Sequence, residues 1–177
     1  GKTAADYEAL PEGAPYQLIA GAFIHTPSRT ITHQLVLGDL LAALAGFIEG
    51  EDLGEVVGGP IDVYLAETDA YQPDIVFISR DRMGIVGDYV HGAPDLVMEV
   101  LSPETAYYDL TRKKRVYAAS GVAEYWIVDP IEQTVEVMFN IGREYERVSD
   151  AYRTGHVESR LLTGFIVDVE RLFAVGR

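Results

Sequence analysis

Asp74 and Glu99 are the residues of this chain best suited to chemistry. Each sets a carboxylate in or beside an apolar, β-branched run that reads as a buried strand: Gln72-Pro73-Asp74-Ile75-Val76-Phe77-Ile78 and Pro94-Asp95-Leu96-Val97-Met98-Glu99-Val100-Leu101-Ser102-Pro103. A charge buried in a strand is costly unless something compensates it. Two carboxylates from neighbouring strands, with a backbone carbonyl such as that of Val100, are the hard oxygen ligands Mg²⁺ prefers, leaving positions for water and a substrate phosphate. Two such carboxylates near a lysine are what a metal-dependent phosphodiester hydrolase needs. The structural alternatives are a sheet-edge Glu paired with an Arg, and a Pro-Asp pair that merely starts a strand.

Arg112-Lys113-Lys114-Arg115 follows on a predicted helix. Lys113 comes four residues after Asp109 and four before Tyr117, so one helical stripe carries it between a capping residue and an aromatic directed at the core. From that boundary its ammonium can reach toward the carboxylates, lowering the pKa of an attacking water or stabilising charge on a phosphorane-like transition state. Lys114 and Arg115 read equally well as a solvated face.

The elements that must deliver these groups follow from periodicity. Tyr16–Ile19 and Phe23–His25 flank Ala20-Gly21 as a hairpin, although Ala20 lacks the tolerance of positive φ that Asp or Asn brings to such a turn. Leu37, Leu40, Leu41, Leu44 and Ile48 share one face of a helix from Thr32 to Ile48, with Gly50 past its end. Gly54 to Pro60 breaks the pattern, and strands are predicted around 61–65, 75–79 and 95–101. In the last of these, alternation puts Asp95, Val97, Glu99 and Leu101 on one face. A helix over 109–119 capped by Asp109, an antiparallel meander over 124–129, 134–139 and 144–149, and a terminal strand and helical turn within 161–173 complete the chain. This order predicts an α/β domain, a mixed β-sheet flanked by α-helices.

The 177 residues, 48% of them hydrophobic, suffice for one sizeable core and predict a single domain over 1–177. Absence of cysteine rules out disulfides and thiolate metal sites and fits a reducing, cytoplasmic setting. No run approaches the roughly 18 apolar residues of a membrane span, and the first residues lack the layout of a signal peptide, with Gly1 read as a cleavage remnant. A net charge of -14 argues against broad coating of nucleic acid, although bound divalent cations and a local basic stripe can reverse the potential at one cleft. His25, His91 and His156 have no mutual metal-ligand spacing, and neither a zinc motif nor a phosphate-binding glycine loop is present. Tyr125 and Trp126, with no basic residues interleaved, read as core.

A series of motifs running over nearly the whole chain resembles the Uma-two family of endonucleases, within the restriction-endonuclease-like PD-(D/E)xK superfamily. It comprises Tyr16-Gln17-Leu18-Ile19-Ala20-Gly21, the His33-bearing first helix, Gln72-Pro73-Asp74, the run from Pro94 to Pro103, Asp109-Leu110-Thr111-Arg112-Lys113, Tyr117-Ala118, Gly121 to Pro130 and Thr163-Gly164-Phe165. The resemblance implies a restriction-endonuclease-like core in which Asp74 and Glu99 bind Mg²⁺, with Mn²⁺ as a substitute. Lys113, displaced from strand to helix, replaces the usual motif lysine, since Leu101 occupies the position two after Glu99. Gln17 stands where the family usually has Glu, and a neutral amide is a weaker metal ligand. Lys114, Arg112 and His33 are the expected substrate contacts, DNA the expected substrate, and a homodimer the simplest way for so short a chain to reach both strands of a duplex. Two other readings compete: a catalytically attenuated member that binds nucleic acid or protein, favoured by Gln17, and a small-molecule phosphodiesterase, favoured by the acidic balance.

Overall fold

The computed structural model describes residues 1–175. A short helix α1 (Ala4–Glu8) leads into the hairpin β1 (Tyr16–Ile19) and β2 (Ala22–His25), then the long helix α2 (Ile31–Glu51). Five strands follow: β3 (Gly54–Gly58), β4 (Val63–Ala66), β5 (Asp69–Tyr71), β6 (Ile75–Ser79) and, after a 3-10 helix, β7 (Val90–His91). Next come β8 (Leu96–Val100), α3 (Ala106–Leu110), α4 (Arg112–Ser120), β9 (Glu124–Asp129), β10 (Thr134–Asn140), β11 (Tyr145–Tyr152), β12 (His156–Glu158), β13 (Ile166–Asp168) and α5 (Val169–Ala174).

A six-stranded mixed sheet in the order β11-β10-β9-β8-β6-β3 forms the centre, a five-stranded sheet β2-β1-β5-β4-β7 lies beside it, and β12 and β13 make a ribbon. β8 and β9 are parallel, joined across α3 and α4, whereas β6 runs antiparallel to β8. This centre explains the continuous apolar run of β8: all five of its residues are buried, because both faces of the sheet are covered. One face presents Ile75, Phe77, Met98 and Trp126 to Val36, Leu40, Leu44 and Ile48 of α2. The other presents Val76, Val97, Leu101 and Ile127 to Tyr117 of α4 and to Ile19, Val63 and Tyr71 of the smaller sheet.

Several sequence expectations are corrected. β3, read as a break, is an edge strand of the central sheet, and the helix expected over 109–119 is two helices parted at Thr111, where φ is -121° and ψ is -95°. Asp109 therefore does not cap a continuous helix. α2 extends from Ile31 beyond Gly50 and ends at Asp52 in the left-handed region, with Val36 rather than Leu37 on its fully buried face. At 21 residues and a mean hydropathy of 1.6, α2 is long and apolar enough to cross a membrane by length and composition. Its Val36–Ile48 face packs on the central sheet.

Candidate active site

Ile75 pairs with Met98 and Val76 with Val97, and extending that register by one residue sets Asp74 opposite Glu99. Directly opposed residues of an antiparallel pair project to one face, so both carboxylates lie on the side covered by α4 and the smaller sheet. Asp74 Oδ2 accepts from the Val100 N–H at 2.7 Å, prolonging the β6–β8 ladder through a side chain. The approach is tight: the Gly59 N–H donates to the Asp74 carbonyl at 2.7 Å, and a Cβ on Gly59 would lie 2.4 Å from the Pro73 carbonyl oxygen.

α4 brings Lys113 to the same place. Its Nζ lies 2.6 Å from Glu99 Oε2 and 2.7 Å from Asp109 Oδ1, over the ring of Tyr71. Tyr117, one helical turn further, donates to Glu99 Oε2 at 2.8 Å, so the stripe expected from the Asp109–Lys113–Tyr117 spacing is present. Asp109 was expected only as a cap. Its side chain is instead a buried member of the cluster, paired with Lys113 at the i,i+4 spacing across the break at Thr111.

Electrostatics separates these carboxylates from the other buried acids. Glu124 is fully buried but accepts from Trp126 Nε1, Ser159 Oγ and the Arg160 and Leu161 N–H groups, which is a structural solution complete in itself. Glu99 and Asp109 share one lysine, Asp74 stands opposite Glu99 without a contact to that lysine, and Asp74 Oδ1 and Glu99 Oε1 have no hydrogen-bond partner among the described residues. Burial pushes the Asp74 carboxyl up to about 6 against the Val100 N–H and the charge of Arg29, and pushes Asp109 up to about 6 against Lys113. Burial likewise raises Glu99 despite Lys113. Burial alone would lower Lys113, but Asp109 and Glu99 more than offset it, so the ammonium keeps its proton. More carboxylate is present than one ammonium neutralises. Two free hard oxygens in a region of surplus negative charge fit a divalent cation held by two carboxylates and completed by water or phosphate. Among the described residues no cage of three or more His, Cys, Asp or Glu exists, so a dedicated all-protein site is not what these residues build.

With this geometry in view, a family model described as "Putative restriction endonuclease", Uma2, matches residues 4–170. The chain belongs to the Uma2 family. Its fold is that of a structure titled as a "putative nuclease belonging to DUF820" from Anabaena variabilis, which superposes with a TM-score of 0.82 at 20% identity over 98% of each chain. No curated protein matches the chain.

The remaining residues expected from the Uma2 resemblance are differently placed. Gln17 is buried on β1, and its Oε1 accepts from the Gln72 N–H at 2.8 Å, tying β1 to the segment that leads into Asp74. His33 is buried on α2: its N–H is capped by Thr30 Oγ1, and Nε2 donates to the Val100 carbonyl at 2.7 Å, 3.8 Å from Asp74 Oδ2. Burial lowers its pKa, and a neutral imidazole donating from Nε2 to Val100 leaves Nδ1 an acceptor, which requires the Gln34 amide to be turned so that its NH2, not the Oε1 placed at 2.8 Å, faces the ring. Arg112 makes a forked contact to Asp69, with Nη2 at 2.7 Å and Nε at 3.2 Å. Asp69 also accepts from Tyr71 and from the N–H of Ala20, whose φ of 51° is the positive value that an alanine tolerates poorly. Lys114 is half-buried and forms no ion pair among the described residues.

Proposed function

We propose that this chain is a Mg²⁺-dependent endonuclease that hydrolyses DNA phosphodiester bonds by attack of metal-activated water, without a covalent intermediate. The observation that carries the reading is the pair of free oxygens on Asp74 and Glu99, opposed across β6 and β8, beside a lysine that bridges Glu99 and Asp109. Asp74 and Glu99 would hold the ion, which supplies a water of lowered pKa and a Lewis acid for the phosphate. The chain's own groups do the rest. The Val100 N–H fixes the orientation of Asp74, and Tyr117 fixes that of Glu99. Lys113, held protonated by two carboxylates, presents positive charge to the oxygens on which negative charge develops in the transition state. Neutral His33 holds the Val100 carbonyl between the two strands.

Gln17 favours a second reading, an attenuated member of the family. Its neutral amide is buried and committed to the Gln72 backbone, so it adds no charge to a metal site. Supercoiled plasmid incubated with Mg²⁺, Mn²⁺ or EDTA tests both readings. Ion-dependent nicking that disappears in Glu99→Gln is the expected result. Cleavage only after Gln17→Glu would make the attenuated reading the better account, and no cleavage in either form would overturn the nuclease reading.

A further inference from the structure

The cleft that opens over Asp74 has a volume of about 290 Å³ and is walled in part by Arg29, Gln34, Leu37 and Gln72. Among its lining residues Asp74 is the single carboxylate and Arg29 the single cation. Arg29 lies in the connector between β2 and α2, immediately before the N-cap Thr30. Its Nη1 donates to Ser102 Oγ at 2.7 Å, and Ser102 is in turn bonded to Thr105 Oγ1 at 2.8 Å, which tethers the guanidinium to the exit of β8 beside the site. Arg80, Arg82, Arg112 and Arg147 are each paired with a carboxylate; Arg29, like Arg115 and Arg160, forms no ion pair among the described residues, and it is the one that lines this cleft. Most of its five N–H donors are therefore uncommitted in a cleft that leads to a candidate metal ligand.

The adjoining cavity sharpens the assignment. It holds about 400 Å³, shares Gly13, Ala14, Pro60 and Gln72 with the cleft, and carries Glu8, Glu12, Asp62 and Asp88 on its walls with no Lys or Arg. A polyanion is repelled from that side, the more so in a chain of net charge -14. Of the two cavities, only the one lined by Arg29 and Asp74 presents a cation to it.

We propose that Arg29 is a substrate-binding residue that receives the anionic oxygens of the phosphodiester positioned at Asp74. A planar guanidinium fork suits two phosphate oxygens in a way that a point charge does not. The assignment rests on the nuclease reading for the identity of its substrate, and it adds a cation that lies outside the Arg112–Arg115 run.

Fluorescence anisotropy of a short labelled DNA duplex, with Ca²⁺ in place of Mg²⁺ and over a series of salt concentrations, tests it independently of turnover. Arg29→Gln keeps an N–H donor for Ser102 but removes the charge, and Ser102→Ala removes the tether but keeps the charge. Arg29→Gln should weaken binding about tenfold or more and make the salt slope shallower by roughly one. Arg29→Lys should recover part of the loss, and Ser102→Ala should stay near the parent. Parent-like binding and slope in a folded Arg29→Gln protein would overturn the assignment while leaving the nuclease reading in place if the parent cleaves. A parent that binds duplex but cuts nothing with Mg²⁺ or Mn²⁺ would sink the nuclease reading, and Arg29 would still be judged by the binding of its variants. Failure of the parent to bind duplex would overturn the assignment of Arg29.

Discussion

Lys113 Nζ lies 2.6 Å from Glu99 Oε2 although the two residues belong to different elements, the helix α4 and the central strand β8. The same ammonium is 2.7 Å from Asp109, so one cation is shared by two carboxylates, while Asp74, across the strand pair, touches no cation among the described residues and has the neutral His33 ring 3.8 Å away. The lysine is thus held in place before any substrate arrives, which is the preorganisation that electrostatic catalysis requires.

Lys113→Ala should cost roughly 10² or more in cleavage rate, in keeping with the loss of one preorganised electrostatic contact. Lys114→Ala, on a residue without an ion pair among those described, should weaken DNA binding and its salt dependence with little effect on the saturated rate. Single-turnover cleavage of a short duplex at saturating Mg²⁺ separates the two. Equal rate losses, or a loss in Lys114→Ala alone, would contradict the role given to Lys113.

The cluster makes the metal-free protein sensitive to pH in a definite direction. Asp74 and Asp109 titrate near 6 when folded, above the roughly 3.9 of an unfolded aspartate, so the native state binds protons more tightly than the unfolded one. That stabilisation is fully present below about 4 and is lost as pH rises through 6. Thermal melts in EDTA should therefore show the melting temperature falling between pH 5 and pH 7.5, and Mg²⁺ should restore it at the upper end. Asp74→Asn should raise the metal-free melting temperature at pH 7.5 and remove the response to Mg²⁺. An unchanged Mg²⁺ shift in that variant would place the ion elsewhere.

Asp69 has the opposite sign. Burial alone would raise its carboxyl, but Arg112, Tyr71, the Ala20 N–H and Thr68 overcome that and hold it below its ordinary value. Its contribution is present above about 4 and is lost as pH falls through the lower folded value. Arg112→Ala leaves this carboxylate buried with only its neutral donors Tyr71, Thr68 and the Ala20 N–H, and, with Arg112 itself partly exposed, should destabilise the fold by about 2 kcal/mol. Because Asp69 holds the strained turn at Ala20, chemical denaturation should find the loss in Asp69→Ala to be of similar size. A loss under about 0.5 kcal/mol in both would reduce the pair to an ordinary surface contact.

The expected homodimer is a matter for light scattering. Exposed apolar side chains such as Ile31, Leu35, Ile131, Ile141 and Tyr152 are available to an interface, and a stable one buries on the order of 1,600 Å² in total. A molar mass of twice 19.5 kDa is expected at high micromolar concentration. A monomer there would require another explanation of how both strands of a duplex are cut.

Much of the fold was legible because it is written locally. Alternation or continuous apolarity marked β6, β8, β9 and β10, spacings of three and four marked α2, and Asp74 and Glu99 stood out as charges inside such runs. β3 and β5 were not legible. The first is bounded by glycines and the second is three residues long, so each is a strand only because β6 in one case and β1 and β4 in the other supply its hydrogen bonds.

The sequence by itself determined which residue types could hold a metal and a positive charge, and the order in which the strands and helices carrying them occur. Tertiary structure alone decided which distant groups answer one another: Lys113 is committed to Glu99 as well as to its helical neighbour Asp109, Arg112 to Asp69, the neutral His33 to the Val100 carbonyl, and Arg29 to no carboxylate among the described residues. Periodicity reports burial, which depends on near neighbours along the chain. A long-range polar contact depends on two side chains meeting within a few ångströms although they stand 14 to 73 positions apart in the chain, as the pairs Lys113–Glu99, Arg112–Asp69 and Arg29–Ser102 do here, and no local pattern encodes that distance.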